Sequence, residues 1–329
     1  MKSRRLILAA AGGLALALTG ISAWSQTPAQ GRVVRLMNGF PPGGSADVVS
    51  RLIADRLRGA YAPNVIVENK PGGGGRTVLE QARTADADGS TIVLTPTAML
   101  TIFPHVFKKL GYDTFRDFTA VGSAATFVTA ITAGPGLPAN VKTLQEWLAW
   151  AKQNPARASY GSPGAGTSLH FVGTMLAARG GVNLNHVPYK GAAPMVQDLL
   201  GGQVPVGMVP IGDAVQHAKS GKLRVLATTG TQRSRFLPDV NTAREAGFQD
   251  VIAEDYFALF VPSKTPQDVV EKLGAALREA LRSNEVRDRM AQVGVDLKST
   301  TPAEMADIVR AQFNTWAPIV KASGFSAEE

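Results

Sequence analysis

With 329 residues, 45% of them hydrophobic, the chain is long enough to fold as two lobes that each bury a core. It has no cysteine, which excludes disulfides, thiolate catalysis, cysteine-ligated metals and a lipid-modified cysteine at the amino terminus. The formal net charge is +8, yet beyond the first residues KKL at 108–110 is the densest basic run, so the basic-aromatic stripe that nucleic acid requires is excluded.

The chain begins MKSRRLILAAAGGLALALTGISAWSQ, joining Lys2, Arg4 and Arg5 to an apolar run at 6–18 and then to small residues, the pattern of a secretory signal peptide over 1–25. The run is shorter than the roughly 20 apolar residues of a bilayer span. Ala23-Trp24-Ser25 resembles a cleavage site, so the mature chain is expected to start near Gln26 as a soluble exported protein. SRRLIL partly matches a twin-arginine signal, which leaves both export routes open. Without the three leader cations, 31 of the 34 basic residues face 26 acidic ones. That mild excess reads as solvated surface and favours anionic ligands.

Short β-branched runs then alternate with amphipathic stretches: VVRLMNGF (33–40), a helix over 46–58, NVIVENK (64–70), a helix over 76–86 and STIVLTP (90–96). This alternation predicts βαβ units and a parallel sheet, with Val48, Leu52, Ile53 and Leu57 as the core face of the first helix. A second series has a helix over 144–152, ASYGS (158–162), a helix over 168–178, NHVPYK (185–190), a helix over 192–200, VPVGMVP (204–210) and LRVLATTG (223–230). FTAVGSAATFVTAITAGPG (118–136) and EDYFALFVP (254–262) read as long strands crossing between the lobes. Three helices follow, with caps at Thr265-Pro266, Ser283 and Thr301-Pro302, and they need a sheet to cover. The first lobe is therefore expected over 26–125 and 250–329, with 126–249 as an inserted second lobe, and small ligands commonly bind in the cleft between such lobes.

Two loops stand out. FPPGGSADVVSRL (40–52) passes from strand to helix with no cation, and YGSPGAGTSLHF (160–171) repeats the plan in the second lobe. Each presents unpaired helix N–H groups at the carboxyl end of a strand, so the two could face one another and hold a carboxylate with amides and hydroxyls alone. The plainer alternative is that Pro41, Pro42, Gly43 and Gly44 form a turn that Ser45 caps, with Asp47 complementing the helix dipole. Asp47 is awkward beside an anion; it either bonds loop amides or meets a ligand donor.

NKPGGGGRT (69–77) satisfies neither phosphate-loop template and reads as the start of a helix. Thr95 and Thr97 end a strand at the same rim, Phe40 lies at the lip of the first strand, and Asp213 is a candidate N-cap or ligand contact. The histidines at 105, 170, 186 and 217 lack metal spacing, and only His170 lies beside a proposed loop. There is no nucleophile elbow, and Ser168 and His170, two apart on one helix, do not face each other.

RLMNGFPPGGSADVVSRLIADRL, VIVENKPGGGG, DGSTIVL, YGSPGAGTSLHFVGTML, VPYKGAAPMVQDLLGGQVPVGM, GKLRVLATTGTQRS and LFVPSKTP, in this order, resemble the Bug family, the extracytoplasmic solute receptors of tripartite tricarboxylate transporters. The resemblance covers essentially the whole mature chain. It implies an α/β fold of the type II periplasmic binding protein class, with two lobes joined by a two-strand hinge that close on a small organic acid. It also implies that the acid's carboxylate sits between the loops at 42–47 and 162–168, held by backbone amides, hydroxyls and bridging water. The expected contacts are Phe40, Pro42, Gly43, Gly44, Ser45, Asp47, Thr95, Thr97, Ser162, Gly164, Ala165, Gly166, Thr167, Ser168, His170 and Asp213. His170 is followed by Phe171, Val172 and Gly173 where many members carry Leu and an acid, and VPIGD replaces a common Asp or Asn with Ser, so the far end of the ligand is not carried over. The expectation is a monomeric receptor without cofactor or metal that serves a membrane permease. The alternatives are a ligand sensor for a membrane signalling partner and a periplasmic hydrolase.

Overall fold

A computed structural model describes residues 32–327, so the expected leader lies outside the described residues. The first series forms β1 (Val33–Asn38), α1 (Ser45–Leu57), β2 (Asn64–Asn69), α2 (Arg76–Ala82) and β3 (Thr91–Pro96), then three single-turn helices, α3 (Ala98–Thr101), α4 (Phe103–Val106) and α5 (Thr114–Asp117), and the long β4 (Phe118–Ala133). The second series is α6 (Leu144–Gln153), β5 (Ser159–Ser162), α7 (Ser168–Gly180), β6 (Asn185–Pro188), α8 (Ala192–Leu200), β7 (Val206–Pro210), α9 (Ile211–Lys219) and β8 (Arg224–Thr228). The chain ends with β9 (Glu254–Pro262), α10 (Gln267–Arg282), α11 (Asn284–Gln292), β10 (Asp296–Leu297) and α12 (Pro302–Ser323).

Two sheets share one strand. Parallel β2, β1 and β3 continue through antiparallel β9 into the first part of β4, which also pairs with β10. From Thr129 to Ala133 the same strand pairs with β7 on one side and β8 on the other, and β7, β5 and β6 continue in parallel. The chain passes between the sheets within β4 near Thr129 and returns at Ala253, just before β9. Thr229 ties both passages: its hydroxyl accepts from the Thr129 amide at 2.9 Å and donates to the Ala253 carbonyl at 2.6 Å. The returning strand β9 pairs with β3 and β4 in the first sheet only.

The carboxyl-terminal helices α10 and α12 cover β4, which supplies the sheet they need. Ser283 and Thr301 are N-caps as expected, the latter in a capping box with Glu304, whereas Pro266 is itself the cap of α10. Helix α1 starts one residue early, at Ser45, and buries Val49 with Leu52, Ile53 and Leu57, leaving Val48 half-buried. The i, i+3, i+4, i+8 set centred on Val49 forms the stripe that meets the sheet. Among the described residues no helix is long and apolar enough to cross a membrane.

Candidate functional site

The turn after β1 arises because Pro41 and Pro42 cannot extend the ladder and Gly43 sits at φ +95°, a conformation side chains resist. Gly44 is the N-cap of α1 and offers no side chain; its carbonyl accepts from the Asp47 amide at 3.0 Å, and the Ser45 and Ala46 amides lack a local acceptor. One is satisfied from the other lobe. Asp213, in the first turn of α9, accepts from the Ser45 amide and the Ser45 hydroxyl, both at 2.9 Å. Burial pushes its carboxyl up to about 6, against the pull of those two bonds. The Ala46 amide keeps no partner among the described residues. Asp47 turns beneath the loop: it accepts from the Gly43 amide (3.1 Å), Asn69 Nδ2 (2.9 Å) and Arg51 Nε (3.0 Å). Burial raises its pKa, but these bonds prevail and hold the carboxyl below its ordinary range.

In the second lobe, Thr167 caps α7 by accepting from the His170 amide at 3.2 Å, and its hydroxyl donates to the Gly164 carbonyl at 2.8 Å. The loop is propped from behind by imidazoles. His170 Nδ1 accepts from the Gly166 amide at 3.1 Å, and its ring stacks on His186 with centroids 4.0 Å apart. The Ser162 hydroxyl donates to the Gly164 carbonyl, so the 2.7 Å contact with His186 Nε2 makes that nitrogen the donor. Burial, with the neighbouring ring, drives His170 down to about 3, and burial drives His186 down to about 4, so both are neutral. The amides of Ser168 and Leu169 have no acceptor among the described residues.

Between the two helix starts lies a cavity with about 510 Å³ of space, its mouth included. Gly44, Ser45 and Ala46 line it from the first lobe, and Thr167, Ser168 and Leu169 from the second. The crossing strands provide the floor: Phe127 of β4 stacks on Phe257 of β9 with centroids 4.5 Å apart. Phe40, Met99 and prolines 41, 96, 163 and 210 close the sides, with Ala192 and Ala193 at the start of α8. Asp255 completes the lining. Its Oδ1 lies 2.5 Å from the Thr97 hydroxyl and accepts from the Ala98 and Tyr256 amides, while Oδ2 accepts from the Ser168 hydroxyl at 3.1 Å. Burial raises its pKa against those four donors. Among the described residues no lysine, arginine or histidine lines the cavity.

The lobes meet on bare backbone around this site. A Cβ on Gly164 would stand 3.1 Å from Gly74 Cα, and one on Gly75 would stand 3.1 Å from the Phe40 ring and 3.3 Å from Met99 Sδ. The glycine run at 72–75 thus starts α2 as expected, and it also seats the cavity wall and the second loop.

A family model described as the tripartite tricarboxylate transporter family receptor matches residues 49–325. The chain belongs to this receptor family. It is 31% identical over 322 residues to the protein of the tcbD–tcbE intergenic region of Pseudomonas sp. (strain P51), covering 96% of this chain and 94% of that one. The solved periplasmic binding protein BugD matches 91% of this chain and 99% of its own with a TM-score of 0.84 and 31% identity. An adipate-bound protein from R. palustris matches 91% and 99% with a TM-score of 0.85 and 27% identity. The two-lobed periplasmic binding protein fold and the role of a transporter-family receptor follow.

Of the residues read from the sequence of this receptor, Phe40, Gly44, Ser45, Thr167 and Ser168 line the cavity. Gly43 and Asp213 flank it in a neighbouring groove. Pro42 is exposed, while Asp47, Thr95, Thr97 and Ser162 are buried beside it, Thr95 with no partner for its hydroxyl. Gly164, Ala165 and Gly166 pack against Gly74, Phe103 and Val106 of the first lobe. Two readings are corrected. His170 does not line the cleft but supports the loop from behind, because its Nδ1 is turned onto Gly166 and its ring into an aromatic layer with His186 and Phe325. Asp213 does not cap its own helix, whose N-cap is Pro210, but caps α1 across the cleft. Sequence reasoning missed Met99, Phe127, Asp255 and Phe257 as lining residues. The available signal was topological: strands that cross between lobes must floor the cleft.

Proposed function

We propose that this receptor is exported by its amino-terminal leader, closes on a small organic carboxylate and delivers it to the membrane permease of a tripartite tricarboxylate-type transporter, without catalysis. The observation that carries the reading is that Ala46 of α1 with Ser168 and Leu169 of α7, whose amides have no acceptor among the described residues, line one cavity that has no cation among its described lining residues. Two helix dipoles then share one anion, and a ligand touching both lobes shifts the population toward closure. That a relative is solved with adipate supports a carboxylate. The hinge is proposed between lobes 26–125 with 250–329 and 126–249, a division supported by the crossings near Thr129 and Ala253. The hydrolase reading loses support because the Ser168 hydroxyl donates to Asp255 while His170 Nδ1 is taken by Gly166.

A thermal-shift screen of organic acids, followed by mass spectrometry of ligand released from gently purified protein, tests the proposal. An acid that raises the midpoint and is the released species is the expected result. No stabilisation by any carboxylate defeats it.

A further inference from the structure

Resting on the carboxylate reading above, we infer that the ligand of this chain is a monocarboxylate with an uncharged, apolar body, and that dicarboxylates of the adipate type are rejected. The polar lining is confined to the two helix starts and Asp255. Beyond them the wall is Phe40, Pro96, Met99, Phe127, Pro210 and Phe257. One ligand carboxylate is matched by the amides of Ala46, Ser168 and Leu169, which need an acceptor. A second carboxylate seated against this wall would meet hydrocarbon, losing its hydration with neither donor nor cation in exchange.

Counting charge leads to the same conclusion. Two carboxylates are already built into the neighbourhood: Asp213 on the first turn of α1, and Asp255 in the wall beside α7. Of the basic side chains on α1 and α2, Arg51 pairs with Asp47 and Arg76 lies 3.2 Å from Glu80. A ligand with two carboxylates therefore brings more negative charge to these two buried carboxyls than a ligand with one does, and burial disfavours every added charge. A planar or branched hydrocarbon body, by contrast, gains contact with three phenyl rings and a methionine.

Isothermal titration of the purified full-length protein with matched pairs tests this: hexanoate against adipate, and benzoate against terephthalate, with citrate, hexanamide and benzamide as further arms. At least one monoacid should bind about tenfold or more tightly than its diacid partner, and the amides should not bind. Ala192→Arg, at a half-buried position on the cavity rim, should narrow or invert the ratio by supplying the missing cation, with an unchanged circular dichroism spectrum certifying its fold. Adipate or terephthalate binding as tightly as its monoacid overturns the inference and leaves the carboxylate receptor standing. Binding of citrate alone does the same. Amides that bind as well as the acids overturn the carboxylate reading itself, and failure of every acid to bind overturns both.

Discussion

The two glycine loops do the same work with different chemistry. The first, before α1, is held by charge: Asp47 with Arg51 and Asn69 below, and Asp213 reaching over from the second lobe. The second, before α7, is held by neutral groups, the Thr167 and Ser162 hydroxyls and the imidazoles of His170 and His186. A helix start needs acceptors and a fixed backbone path, and either an ionised or a neutral scaffold supplies them. The choice decides how each loop responds to crowding, acid and salt, so the pair can be separated experimentally.

Steric substitution should separate them most. A Cβ on Gly166, at φ +78°, would stand 3.0 Å from Val106 Cγ1, whereas one on Gly43, at φ +95°, meets nothing within 4 Å. Gly166→Val adds a clash to the backbone strain and should weaken ligand binding by about 100-fold or more, whereas Gly43→Val carries the strain alone and should weaken it by about tenfold. Equal losses in titration calorimetry would erase the distinction.

Acid comes next. His170 and His186 are held near 3 and 4 in the folded protein, below the ordinary histidine value, so between those values and about 6.5 the unfolded chain binds more protons. Stability from this pair is present above pH 6.5 and is lost as pH falls, by about 1.4 kcal/mol per pH unit for each histidine. Denaturant unfolding at pH 7 and pH 5 measures the slope, and His170→Leu should remove about half of the pair's share. A slope unaltered in that variant would place the acid sensitivity elsewhere.

At the first loop the sign reverses. Asp213 titrates near 6 in the folded protein against about 3.9 in the unfolded chain, so between those values the native state holds more protons. Its contribution grows as pH falls through 6 and disappears above it. Asp213→Asn, which keeps an acceptor for the Ser45 amide, should raise stability at pH 7.5 by about 1 kcal/mol and cancel this acid-side gain. Destabilisation of that variant at pH 7.5 would show the ionised carboxylate to be the better cap.

Salt should separate the loops least. Arg51 is 54% exposed on its side chain, so Arg51→Ala should cost about 0.5 kcal/mol at low ionic strength and less at high salt. The second loop is held among the described residues by neutral hydrogen bonds with no ion pair to screen, and a His186→Leu variant should show the same cost at both ionic strengths.

Much of this was legible in the chain. Period-two and period-3.6 patterns located the strands and helices, and Pro-Pro-Gly-Gly and Pro-Gly-Ala-Gly marked the loops, because backbone preference acts over a few neighbouring residues. Five of the expected contacts line the cavity for that reason: they belong to the loops themselves. Val49 displaced Val48 from the core because a helix's rotation about its axis is fixed by its sheet and not by its own pattern.

The sequence alone determined two α/β series and two cation-free helix starts. Tertiary structure alone decided that Asp213 caps a helix 168 residues away, that Asp255 and a stacked Phe127–Phe257 pair complete the wall, and that His170 faces backward. Such contacts depend on how two independently built lobes dock, and local preferences carry no information about that docking.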